Sequence, residues 1–132
     1  MPTPVVLVDN QGNSPSDPAG SWNYAATTGG ILNSTTAVTI RNAAGAGIRN
    51  YLSSLYIMAE ALGAATEFAV RDGAGGTVLF RTKLSASGAT SGELITFSPP
   101  LRGTANTLME IVTLTASVTG AVYANAQGYS GA

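Results

Sequence analysis

The chain reads as an all-β sandwich or barrel, and three observations carry that expectation. Short runs of β-branched and aromatic residues recur along its 132 residues, each bounded by Gly, Asn, Ser or Pro clusters. A single stretch shows helical spacing. The glycine-rich turn "DGAGG" at 72–76 lies between flanks, "TEFAVR" and "TVLFRTKL", that alternate well enough for a hairpin.

Taken in order, the expected strands are 5–8, 35–41, 48–58, 66–71, 77–84, 93–97, 107–116 and 121–126, about eight in all. Within the hairpin, Phe68 and Val70 are expected to share one face, as are Val78, Phe80 and Leu84. In "YLSSLYIMAEALGAATEF", Leu52, Leu55, Tyr56, Ala59 and Leu62 fit a helix that Ser53 could cap. Gly63 ends that pattern, and "IRNYLSSLYIM" reads equally well as a strand. The β-rich surroundings favour a strand to about Met58, then a loop through Gly63. Residues 9–34 are dense in turn formers and have no sustained period, which suggests a long loop or an extended arm. The expected organisation is therefore an N-terminal arm region at 1–34 and a sandwich at 35–132, one domain overall. Trp22 and Tyr24 sit inside the arm region, and such large rings need burial. They pack back on their own sandwich, the favoured reading, or reach a neighbouring subunit.

Composition limits the function classes. Cysteine and histidine are absent, so disulfides, thiolate metal sites and imidazole chemistry are not available. The net charge of −1 gives no footprint for nucleic acid or an anionic membrane. The N-terminal string has no basic segment and only the short apolar run 5–8, too short for a signal peptide or a membrane span. With 45% hydrophobic and only 10% charged residues, against about a quarter charged in an ordinary domain, the exterior is expected to be partly covered by partners.

A search for chemistry finds little. The titratable candidates are four Glu, three Asp and Lys83. Convergence of Glu67 and Glu93 across a cleft is the arrangement a glycosidase would need. Glu67 and Glu110, however, lie on expected strands, where an outward-facing position is the simpler reading. No G-x-S-x-G elbow occurs, and the glycine loop is followed by a strand rather than a helix, unlike a phosphate cradle. No enzyme activity and no cofactor are expected. Among binding modules, a carbohydrate-binding one would expose planar aromatics. Phe68, Phe80 and Phe97 read as core, Trp22 is a candidate sugar-stacking residue, and Tyr51, Tyr56, Tyr123 and Tyr129 are candidate interface residues.

From Gly47 onward four strings occur in order: "GIRNY", "ATEFAVRDG", "PLRGTANT" and "VYANAQGY". This series resembles a family of small virion proteins of tailed bacteriophages, jelly-roll or related β-sandwich cement (decoration) proteins that bind the outside of a capsid. The resemblance implies a jelly-roll-like antiparallel sandwich and a structural role without catalytic residues or cofactors. It also implies a virion protein on the capsid exterior, made in the bacterial host cytoplasm. The implied partner is the major capsid protein; further copies of the chain itself are also expected, a dimer rather than a trimer, a choice the resemblance does not settle, and the charge balance argues against nucleic acid or membrane. Trp22, Tyr24, Arg102 and Tyr129 are the candidate partner contacts. The alternative from another class is a carbohydrate-binding module of a head or tail fibre.

In "SPPLRGTANTLMEI", Pro99 and Pro100 are expected to end a strand at about Ser98, and Gly103 to take a backbone conformation closed to other residues. Thr104 and Asn106 are expected to bond nearby backbone. Arg102 is then either a clamp on carbonyls of its own loop, the preferred reading, or a contact to a partner's carboxylate.

Overall fold

The computed structural model describes residues 20–33, 35–86, 91–116 and 118–132. The described residues form nine strands: β1 (Ser21–Tyr24), β2 (Ile31–Asn33), β3 (Val38–Arg41), β4 (Arg49–Glu60), β5 (Thr66–Asp72), β6 (Thr77–Leu84), β7 (Ser91–Arg102), β8 (Met109–Thr113) and β9 (Val118–Gly131). Eight of them are nested antiparallel pairs, β5 with β6, β4 with β7, β3 with β8 and β1 with β9. Rolling this long ribbon adds two seams, β4 to β9 and β5 to β8. The result is two facing antiparallel sheets, β1-β9-β4-β7 and β3-β8-β5-β6, with β2 adding a fifth strand to the first by pairing with β9. This is a jelly-roll sandwich, as expected.

Alternation places the core between the sheets. Leu52, Leu55, Ile57 and Ala59 of β4 and Val122, Ala124 and Ala126 of β9 meet Phe68 and Val70 of β5 and Met109 and Ile111 of β8. Each large apolar side chain moved there from water contributes about 1.5–3 kcal/mol. One register irregularity keeps β4 in phase. Ser53 is an extra residue between the pairs Leu52↔Gly128 and Ser54↔Gln127, so Leu52 and Leu55 both face inward although three residues apart.

Several expected boundaries shift. The 52–63 segment is strand to Glu60, beyond the expected end at Met58, and the helical spacing is not realised because both flanks of β4 are paired. Ala61, in the left-handed region at φ 51, turns the chain there. The last strand is 118–131 rather than 121–126, and β8 is shorter than the expected 107–116. β7 does not stop at Ser98 but continues through both prolines to Arg102, and its Ser98–Pro99 peptide is cis. β7 is an edge strand, and residues 97–100 stand opposite Ser53 alone, so neither proline interrupts a regular ladder. In the hairpin, Phe68 and Val70 share the core face, but Leu79 is an extra residue between Val70↔Phe80 and Arg71↔Val78. That bulge moves Val78 off the face of Phe80 and Leu84.

Within the segment expected as an arm, β1 and β2 are strands of the first sheet. They are short, and local periodicity gave them no signal. The rest of that segment, residues 1–19 with the expected strand 5–8, lies outside the described residues.

Candidate interaction face

The outer face of the first sheet is read from register. Because Leu55, Ile57, Val122, Ala124 and Ala126 point inward, their neighbours Tyr56, Met58, Tyr123, Asn125 and Gln127 point outward. Cross-strand pairing arranges this face in rows. Arg102, Tyr51 and Tyr129 form one, Thr96, Ser54 and Gln127 the next, Leu94, Tyr56 and Asn125 the third, and Gly92, Met58 and Tyr123 the fourth. Glu60 and Ala121 close the series. All four tyrosines singled out from sequence therefore share one face, and among the described residues no charged side chain lies between the first row and the last.

The rings are held. Tyr51 and Tyr129 stack with centroids 4.6 Å apart and planes at 9°, and the Tyr51 hydroxyl donates to Ala132 O at 2.8 Å. Tyr56 lies over Gly92, where a Cβ would overlap its hydroxyl. Among the described residues, Tyr56 and Leu94 are the exposed large apolar ones, at 37% and 65%. They border an open depression of about 340 Å³ whose rim carries Asn23, Ser54, Asn125 and Gln127. Asn125 Oδ1 accepts from Ala26 N at 2.9 Å, which ties the chain after β1 to the face.

The candidate contacts distribute as follows. Arg102 is exposed, and Tyr129 lies in its row with Tyr51 between them. Tyr24 is half-buried against the core at the edge of the depression, and burial raises its phenol above the ordinary value of 10.0. Trp22 points inward at 5% exposure, with its ring against Gly128 and the Arg41 guanidinium 5.9 Å from the ring centroid. The favoured expectation that these two aromatics pack on their own sandwich matches this placement. Trp22 is thus not displayed for sugar stacking. Leu94 was missed, since "ELITF" alternates ambiguously and only the pairing with Tyr56 fixes Leu94, not Ile95, as outward.

The segment after Arg102 is pinned by other residues than expected. Arg49 Nη1 donates to Gly103 O at 2.9 Å, whereas the Arg102 guanidinium makes no hydrogen bond or ion pair with any described residue. The clamp is Arg49. Gly103 does not take a positive φ. It is needed for close approach, donating to Asn50 O at 2.9 Å, and a Cβ there would meet that oxygen at 3.1 Å. The left-handed residue is Asn106, at φ 53, whose N–H donates to Ile48 O at 2.7 Å. Thr104 bonds a side chain instead of nearby backbone: its N–H and hydroxyl both donate to the Asp72 carboxylate, the hydroxyl at 2.6 Å. Asn50, 1% exposed, donates to Asn42 O and Thr107 O and accepts from the Ser130 hydroxyl at 2.7 Å. Three of the four strings noted in the sequence thus supply the contacts that hold the loops at one end of the sandwich, and the fourth ends there at Tyr129, stacked on Tyr51.

The carboxylates of the described residues are dispersed. Glu67 pairs with Arg81 at 2.9 Å in the open, as an outward strand position. Glu110 is buried rather than surface-facing, gripped by Arg71 at 2.6 Å and by Gly75 N–H at 3.0 Å, because β8 is central and the hairpin turn folds over it. Glu93 stands in the opposite sheet from Glu67. Among the described residues, no three of His, Cys, Asp and Glu gather as metal ligands, and no helix is long and apolar enough to cross a membrane.

No protein-family model matches the chain. No curated protein matches it. Among solved structures, the chain is similar to the coat protein of Tobacco streak virus, at 14% identity and a TM-score of 0.40, covering 88% of this chain and 90% of that one.

Proposed function

We propose that the protein is a structural virion component that binds the outer surface of a bacteriophage capsid and bridges neighbouring major capsid subunits. The observation that carries this reading is the uncharged, tyrosine-bearing face of the first sheet, a surface suited to burial within an assembly, against a capsid subunit or against another copy of the chain. Interface cores are depleted in Lys, Glu and Asp and enriched in Tyr and Met, so such a face can be covered with little charge desolvation. The resemblance of the four strings to cement proteins supports the same role. Each bridging copy binds the assembled geometry and not the separated subunits, and so stabilises the shell by mass action. A chain without cysteine or histidine also brings no redox-sensitive thiol and no side chain that ordinarily titrates near neutrality. The test is co-sedimentation with empty expanded capsids lacking the protein. Saturable binding that raises the capsid's thermal resistance supports the role, and protein left in the supernatant at all ratios contradicts it.

A second reading, a carbohydrate-binding module of a head or tail fibre, is favoured by the depression beside Tyr56 and its amide-bearing rim of Asn23, Asn125 and Gln127. Binding on a glycan array that is lost in Tyr56→Ala supports it. An array without binding removes it.

A further inference from the structure

We infer that the outer face of the first sheet pairs two copies of this chain, face to face. Asn125, in the row of Tyr56 and Leu94, is four residues along β9 from Tyr129 and four from Ala121. The Tyr56 row therefore lies about 14 Å from each end of the face, at about 3.4 Å per residue. One end bears Arg102, with Arg49 one row further along, and the other bears Glu60. Neither the Arg102 guanidinium nor the Glu60 carboxylate has a hydrogen-bond or ion-pair partner among the described residues.

A two-fold axis lying in the plane of the face, across the strands at Tyr56, maps this pattern onto itself with its charges matched. It sets Tyr56 and Leu94 against their counterparts, and lays the Arg102 end of each copy over the Glu60 end of the other. An isologous contact needs this kind of self-complementarity. The area is also sufficient. Five rows about 6.8 Å apart across four strands about 4.8 Å apart give roughly 500 Å² per copy. The total of about 1,000 Å² is at the lower limit for a specific contact, so the pair is weak and concentration-dependent. Pairing by this face leaves the second sheet free in each copy, which gives a two-valent particle able to hold two neighbouring subunits. The inference rests on the face alone and stands or falls without the virion reading.

The test is sedimentation velocity of the full chain, without capsids, from about 1 µM to about 1 mM. A monomer–dimer equilibrium is expected, with a Kd within that span. Leu94→Asp is expected to weaken it at least about thirtyfold with the melting temperature unchanged, since Leu94 is exposed and, lying in the middle row on the two-fold axis, would bring two carboxylates together. Arg102→Glu and Glu60→Arg are each expected to weaken it about tenfold, and the double variant to restore it, because both ends then exchange sign. A monomer throughout the range, a dimer indifferent to Leu94→Asp, or a double variant no better than the singles overturns the inference. So does a monomer whose Leu94→Asp variant loses capsid binding, which would assign the face to the shell.

Discussion

Gly128→Ala tests the internal role of Trp22. A Cβ at this position would overlap the carbonyl oxygen of Tyr51 and lie 2.5 Å from Trp22 Cζ2. Carbon atoms in contact normally sit about 3.5–4.0 Å apart, so the indole must retreat by about 1 Å. It has little room, since Trp22 is 5% exposed and its strand is registered on β9 from Ser21 to Tyr24. β9 cannot yield either, being paired along β4 from Arg49 to Glu60. The cost falls at the upper end of the overpacking range, about 3 kcal/mol. For a chain of 132 residues, about 3 °C per kcal/mol applies, and the melting temperature should fall by about 10 °C. Gly131→Ala is the matched control, because a Cβ there meets nothing within 4 Å. It should melt within a degree or two of the parent protein in the same calorimetric scan. Equal melting of Gly128→Ala and Gly131→Ala would refute the packing of Trp22 against β9.

Three further outcomes are expected. Glu110→Gln should cost about 3 kcal/mol by urea denaturation, since it leaves Arg71 without its buried carboxylate, whereas Glu67→Gln in the exposed pair should cost less than about 1 kcal/mol. Arg49→Ala should lower stability by about 1–2 kcal/mol through the lost bond to Gly103 O, while Arg102→Ala leaves the melting temperature of dilute protein unchanged. Burial raises the folded-state Tyr24 phenol above its unfolded value, so the native chain holds that proton more tightly. Its contribution is present below about pH 10 and is lost as pH rises through the folded value. A native ultraviolet titration should accordingly show one tyrosine ionising later than in the unfolded chain, and its absence in Tyr24→Phe assigns it.

Much of this fold was legible because strand periodicity is local. The alternation around Phe68 and Val70 and the glycines of 72–76 specify the β5–β6 hairpin without reference to the rest of the chain. The misplaced features depend on partners distant in sequence. Pro99 and Pro100 end a strand on any local rule, and they are accommodated because β7 is an edge and Ser53 supplies the opposing bulge. Arg102 and Arg49 are equally plausible clamps in one dimension. Only the folding of β4 beside β7 brings the Arg49 guanidinium to Gly103 O. The interaction face was half legible, since its tyrosines attract notice by composition, but their shared side depends on the phase shift at Ser53. Charge sequence alone likewise could not place Glu60 and Arg102 at opposite ends of one surface.

The central claim, a jelly-roll protein that holds neighbouring shell subunits from outside, is tested most directly by imaging. Expanded capsids incubated with the protein would be reconstructed by electron cryomicroscopy. The account expects symmetric density on the exterior, fitted by the two-sheet sandwich and touching two major capsid subunits at once. A bare shell, with the protein of native virions found instead at the tail or fibres, would contradict it.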